Sequence, residues 1–349
     1  MDGGEGAAAG EGGQPSSDAG QHASGGSPDK TAGAAGLAGT PGGASGGTAT
    51  LGGGGEGGSV GTETYILTEK AQSQVQLGAT TVMPFNHLGG TYALLYSPAA
   101  GLASLYPVKP KLAGLELASS YDRWALGFTS FAPFYLDGAD YFVAFNPTIN
   151  QVHFDRFPAD PQRVEVLKVA TPTKQFSQIT SYAIGGAPYL LYYDIASGAA
   201  VVHTPAPGGE GAVEVFTAAL RGGFTQIASI VRSTDTHLLL LDADRRTAQY
   251  WQAYDDHLES VATASFSEPL ALSAAFADED TPFLLIYGRD GGSAIYEFSA
   301  DTFEPSLAWR GFLPVGATEI APCEQGGKHG FILGDNAGGR LWFYEVARV

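Results

Sequence analysis

Three stretches set a basic residue, an aromatic ring and a hydroxyl close together: RWALGFTSF at 123–131, KQFSQI at 174–179 and RGGFTQI at 221–227, with AWRGFLP at 308–314 a looser variant. Those residue types suit sugar recognition. An aromatic face stacks on a sugar's C–H face while a guanidinium hydrogen-bonds its hydroxyls. On this reading Trp124, Arg123, Trp309, Arg310 and Arg221 are the candidate ligand-binding residues. Packing competes for the same positions, because Phe128, Phe176 and Phe224 serve equally well as wedges between neighbouring sheets.

Other chemistries find less support. Nucleophilic catalysis needs a Ser, Thr or Cys beside a His and a carboxylate. The seven histidines, at 22, 87, 153, 203, 237, 257 and 329, fall at unrelated positions of the pattern described below. There is no H-x-x-x-H spacing and no Cys/His pair, so no zinc site is expected. Among 36 acids some pair always satisfies the carboxylate requirement of glycoside hydrolysis, so that reaction is neither supported nor excluded. Cys323, the single cysteine, sits in EIAPCEQ and reads as a buried inert thiol. The expectation is no catalytic residue, no metal ligand and no cofactor.

Charge narrows the partners. The net charge is −18, with 18 basic residues against 36 acidic ones and no basic run. Gripping a phosphate backbone needs clustered Lys and Arg, so nucleic acid is not expected as a partner. No apolar run reaches the length of a membrane span.

Residues 1–61 differ from the rest. Residues 1–60 hold 22 of the 49 glycines and no aromatic residue, the first being Tyr65. With so little apolar area to bury, such a segment cannot offset an ordering cost of roughly 1–2 kcal/mol per residue. It is expected to be a disordered leader, with the folded domain at 62–349. The leader shows no secretory signal. It resembles the tether of a bacterial surface lipoprotein or secreted protein, which implies an extracellular or cell-surface location; a cytoplasmic protein with a disordered leader is the alternative.

The elements that must position the candidate residues emerge from a repeat. Apolar runs begin at Tyr92, Tyr141, Tyr189, His237, Phe283 and His329, at spacings of 49, 48, 48, 46 and 46 residues. Each is preceded by a short strand pattern, such as TTVMPF or SQITSY, and followed by a turn, such as DIASG or GRDGG. A third strand follows each turn, and a weaker fourth shows in VEVLKVA and VEVFTAA. Runs such as YLLYY without polar alternation imply burial on both faces. A four-stranded sheet cannot cover both of its own faces, and stacking six around an axis does so. The expected fold is all-β, a six-bladed β-propeller of four-stranded antiparallel blades. The sixth unit ends one strand short at LWFYEVARV, and ETYILTEK at 63–70 is the strand left to complete it; residues 64–68 are expected to pair with 340–346.

No unit carries the sialidase S-x-D-x-G-x-x-W motif, the WD40 Trp-Asp pair or a D-x-D-x-D-G calcium loop. With Trp124 and Trp309 beside the joins of a unit of this length, the arrangement resembles the bacterial propeller lectins of the tectonin and fucose-lectin kind. That resemblance implies a non-catalytic, glycan-binding module with pockets between blades. Two alternatives stand beside it: a scaffold propeller that binds a protein surface, and a hydrolase or lyase with its site at the mouth of the central channel.

Overall fold

The computed structural model describes residues 65–349 apart from 76–77, 80, 118, 122–123, 158–163, 233–234, 279–280 and 300–301. The expected leader, 1–61, lies outside the described residues. The strands form six four-stranded antiparallel sheets, each a blade. Blade 1 comprises β2 (Thr81–His87), β3 (Gly90–Ser97), β4 (Leu102–Pro107) and β5 (Ser119–Tyr121). Blade 2 comprises β6 (Ser130–Leu136), β7 (Ala139–Asn146), β8 (Gln151–Phe157) and β9 (Glu165–Ala170). Blade 3 runs from β10 (Gln178–Ile184) through β11 (Ala187–Tyr193) and β12 (Ala199–Pro205) to β13 (Ala212–Ala219). Blade 4 is β14 (Gln226–Arg232), β15 (Asp235–Asp242), β16 (Thr247–Ala253) and β17 (Leu258–Ser265). Blade 5 is β18 (Leu272–Asp278), β19 (Thr281–Tyr287), β20 (Gly292–Phe298) and β21 (Pro305–Phe312). Blade 6 takes β22 (Glu319–Gln325), β23 (Lys328–Asp335) and β24 (Arg340–Arg348), and its fourth strand is β1 (Tyr65–Gln74). The innermost strands β2, β6, β10, β14, β18 and β22 neighbour one another in turn, and β22 meets β2 to close the ring.

The closing strand is longer than its apolar pattern suggests. Tyr65 lies opposite Arg348, Thr68 opposite Glu345 and Gln74 opposite Arg340. Residues 65–68 therefore pair with 345–348, where pairing with 340–346 was expected. The strand runs past the expected 63–70 because an outermost strand has one face in water and needs no apolar alternation there. A bulge shows that β1 belongs to the repeat. In blades 2 to 5 the outer strand carries one extra residue, Leu167, Val215, Val261 or Ala308, at the same point of its pairing. In β1 the extra residue is Lys70, opposite Phe343 and Tyr344. Such bulges bend the outer edge and add twist.

Burial explains the ring. The second strand of each blade is fully covered: Leu190, Leu191 and Tyr193 in β11 are 0% exposed, as are Leu238, Leu239 and Leu240 in β15. Six apolar clusters lie between blades, each drawing on two neighbours, so no blade has a core of its own. Each buried Leu, Phe or Tyr contributes on the order of 1.5–3 kcal/mol only once the next blade is present. Helix is confined to single 3-10 turns at Pro110–Leu112 and Pro207–Gly209 among the described residues.

Candidate functional site

The joins between blades follow one plan. The turn between second and third strands accepts a backbone hydrogen bond from the join: Gly101 from Trp124 at 2.8 Å, Gly198 from Leu220 at 2.9 Å, Arg246 from Phe266 at 2.9 Å and Gly291 from Leu313 at 2.9 Å. Contact there is close. Gly198 has φ +77°, and a Cβ on it would stand 2.1 Å from the Leu220 carbonyl oxygen. Tyrosines tie three joins down. The Tyr193 hydroxyl donates to the Arg221 carbonyl at 2.7 Å and accepts the Phe224 N–H at 3.2 Å. Tyr287 does the same with Pro314 and Ala317, and Tyr96 with Ala125 and Phe128.

This plan locates the sequence candidates. Trp124 occupies the position of Leu220, Phe266 and Leu313, and its ring is stacked on Phe131 at 6.0 Å and edge-on to Tyr96 at 5.6 Å. It is half-buried in the seam between blades 1 and 2. Arg123 lies outside the described residues. Arg221 covers the Phe224 ring at 4.9 Å and is paired with the buried Asp242 carboxylate at 3.0 Å. Burial raises the Asp242 carboxyl, and hydrogen bonds and charge from Arg245, with charge from Arg221, bring it below the ordinary value. Trp309 is half-buried on β21, and Arg310 beside it pairs with Glu268, which also accepts the Tyr296 hydroxyl. Phe128, Phe176 and Phe224 are 1%, 3% and 0% exposed wedges. The structure therefore places Trp124 and Arg221 at separate joins and the Trp309–Arg310 pair on β21, the outer strand of blade 5. A small cleft of about 230 Å³ opens at one join, where Lys174 and Phe176 meet Lys168 and His203.

The larger cavity, about 580 Å³, lies between blades 1 and 2 at the far ends of the inner strands, opposite the joins. Two hairpins build its rim. Leu88-Gly89 and Asp137-Gly138 are two-residue turns with φ of 49°, 76°, 50° and 82°, the all-positive pattern that matches strand twist. Leu88 is unusual there, since blades 3 and 6 use Gly185-Gly186 and Gly326-Gly327. An apolar L-residue in the left-handed region costs roughly 1–2 kcal/mol, yet Leu88 is 67% exposed and gains no burial in return. The wall carries Phe134 stacked on Tyr141 at 5.4 Å, with Phe85 and the 60% exposed Tyr135.

Polar groups converge on that wall. His87, the last residue of β2, is joined through Nδ1 to Asp140 Oδ2 of β7 at 2.7 Å. The His87 side chain is 3% exposed and that of Asp140 22%. The arrangement has a structural precedent within the chain. In blades 1 and 4 the residue before the apolar run reaches back to the preceding blade: the Thr91 hydroxyl donates to the Glu324 carbonyl at 3.0 Å, and the Thr236 hydroxyl to the Ala183 carbonyl. In blade 2 that residue is Asp140, and it meets a side chain instead of a carbonyl. Sequence reading passed His87 over because the repeat was aligned on apolar anchors. The Asp140-for-Thr exchange beside one anchor was the available signal.

Asp155 lies in the same seam. It is 1% exposed, and neither carboxyl oxygen has a hydrogen-bond partner among the described residues. Burial pushes it up to about 8. It stands opposite Phe142, at the position where the other blades carry Tyr106, His203, Trp251, Tyr296 and Tyr344. Cys323 is buried, and burial pushes its thiol up to about 12. No group of three His, Cys, Asp or Glu side chains is placed to hold a metal among the described residues. No helix of the described residues is long and apolar enough to cross a membrane.

No protein family and no curated protein matches this sequence. Solved structures do match in fold. A Bacteroides fragilis protein provisionally named 6-phosphogluconolactonase is 11% identical with a TM-score of 0.51, over 78% of this chain and 87% of that one. The periplasmic gluconolactonase PpgL of Pseudomonas aeruginosa is 14% identical with a TM-score of 0.49, over 72% and 80%. Sqt1 of Saccharomyces cerevisiae is 8% identical with a TM-score of 0.46, over 81% and 99%. None of the three is named a lectin. At these identities the likeness concerns the propeller fold alone.

Proposed function

We propose that the protein is a non-catalytic binding module that takes a glycan unit in the cavity between blades 1 and 2. The observation that carries this reading is one aromatic-walled cavity of about 580 Å³ in which Asn86, His87 and Asp140 meet Phe134, Tyr135 and Tyr141. Sugars present a C–H face and a hydroxyl edge, and this wall offers a ring surface beside acceptor groups. The strained, exposed Leu88 at the rim fits a contact that is completed by ligand. In this reading Trp124 and Arg221 hold the joins, and the ligand meets the opposite face. Trp309 and Arg310 belong to the outer edge of blade 5. The test is a broad glycan array with wild-type protein and Tyr135→Ala. Binding that the variant loses supports the reading, and silence of the wild type across the array sinks it.

One observation favours a second reading. A histidine held by a carboxylate at 2.7 Å inside a cavity is the base-and-orienter half of a hydrolytic site. Turnover of a chromogenic ester or lactone that is lost in His87→Gln would move the assignment to a hydrolase.

A further inference from the structure

The seam between blades 2 and 3 departs from a pattern that four other seams keep. Next to its bulge, each outer strand sets one residue against the following blade, whose third strand supplies the opposing one. Phe216 and Trp251 belong to one apolar cluster between blades 3 and 4, and Ala262 and Tyr296 to another between blades 4 and 5. Trp309 and Tyr344 do the same between blades 5 and 6, and Ala71 and Tyr106 between blades 6 and 1. Between blades 2 and 3 the two positions hold Lys168, opposite Phe154, and His203, opposite Leu190. A charged and a polar side chain replace the apolar pair, and the cleft of about 230 Å³ opens there.

Lys174 meets the cleft from the join, in the stretch KQFSQI that the blade 1/2 cavity leaves unused. Lys168 reaches across the seam, where its ammonium donates to the Glu210 carbonyl at 3.3 Å. Gly211 leaves room for it, since a Cβ there would stand 3.0 Å from Lys168 Nζ. Neither lysine is ion-paired with a carboxylate among the described residues, in a chain of 36 acids. Glu214 lines the same cleft, and its charge acts on His203, as does that of Lys174. Burial holds His203 below the ordinary histidine value, so the ring is neutral at neutral pH. Two ammonium groups against one carboxylate leave one positive charge, in a protein whose overall field repels anions. The exposed Thr171 and Thr173 add hydroxyls to the rim.

We propose that this cleft binds a small hydroxylated monocarboxylate of the size of one sugar-acid ring, with Lys168 and Lys174 on its carboxylate and Thr171, Thr173 and Glu214 on its hydroxyls. A surplus of one charge matches a carboxylate. A phosphate monoester, charged about −1.5 to −2 at neutral pH, would leave charge unmatched beside Glu214. Threonine hydroxyls donate and accept, and the Glu214 carboxylate accepts, so the rim suits hydroxyls better than a bare alkyl chain. Lysine stems are flexible, and two ammonium groups unpaired in the free protein can converge on one carboxylate. At about 230 Å³ the cleft lies below the roughly 300–1,000 Å³ of sites for drug-sized ligands, so it takes one ring. It shares no residue with the blade 1/2 cavity, and it stands whether or not that cavity takes glycan.

The test is calorimetric titration of the full chain with sodium glucuronate at low ionic strength, with glucose and inorganic phosphate as separate arms. Glucuronate is expected to bind, with phosphate weaker and glucose weaker by about tenfold or more. Lys168→Met and Lys174→Met keep an unbranched apolar stem and remove the charge. Each should weaken glucuronate about tenfold, the size of one lost charge-assisted hydrogen bond. Both lysines are exposed, and far-UV circular dichroism checks the fold of each variant. Added salt should weaken wild-type binding, a readout that stands without the variants. Absence of glucuronate binding, equal binding of glucose, preference for phosphate, salt-independent affinity, or unchanged binding in either lysine variant would each overturn the proposal.

Discussion

His87 Nδ1 and Asp140 Oδ2 lie 2.7 Å apart across the seam of the first two blades, and this contact joins two sheets that share no backbone hydrogen bond. It couples the stability of the seam to the chemistry of the cavity beside it. Asp140→Asn keeps the shape and removes the charge. The expected cost is about 1 kcal/mol of stability, read by urea unfolding, with at least a tenfold loss of affinity for whatever glycan the wild type selects.

Leu88 separates stability from binding in the opposite direction. Asparagine tolerates the left-handed backbone that leucine resists, so Leu88→Asn should stabilise the fold by about 1 kcal/mol. The same change removes apolar rim from the cavity and should weaken ligand binding. A variant that is both more stable and equally competent would show that the rim does not contact ligand.

Buried acids set the pH profile. Asp155 and Glu319 are both raised to about 8 by burial, so the folded chain keeps protons that the unfolded chain gives up near pH 4. The stability they contribute is fully present below about pH 4 and is lost as pH rises through about 8. Lowered groups such as Asp242 and Glu345 act oppositely, and their contribution is lost as pH falls through the acid range. Burial lowers His153, His203 and His237, whose contribution rises with pH up to the ordinary histidine value, so the decline is read above it: denaturant midpoints should fall from pH 7 to pH 8.5. Asp155→Asn should flatten the decline in part, and an unchanged slope would remove Asp155 as its source.

Ring closure can be tested at one residue. Tyr65 is 1% exposed, and its ring lies 5.1 Å from Phe283 of blade 5. Tyr65→Ala should cost about 3–5 kcal/mol and lower the melting temperature, although the residue lies 284 positions from the C-terminus it helps to seal.

The Tyr193 hydroxyl bridges both sides of a join, so Tyr193→Phe should cost about 1 kcal/mol. The Phe224 N–H then loses its acceptor, and faster hydrogen exchange at that amide would report the loss.

The architecture was legible in the chain because burial on both faces of a strand leaves a local mark. Runs such as YLLYY at an even period state that six sheets must cover one another, and a sixth unit one strand short states which segment completes it. The joins were half legible. Phe176 and Phe224 showed as aromatics, but only the shared hydrogen-bond plan reveals that Trp124 stands in the place of Leu220 and Leu313 and is committed to the seam. The cavity of His87 and Asp140 had no such mark of burial, only the Asp140-for-Thr exchange beside one anchor. Its two members lie 53 residues apart in the chain. Periodicity records what each residue does for its own sheet. Closing the ring decides which side chains of different sheets meet, because that depends on the stacking angle between blades and on no pattern within any one of them.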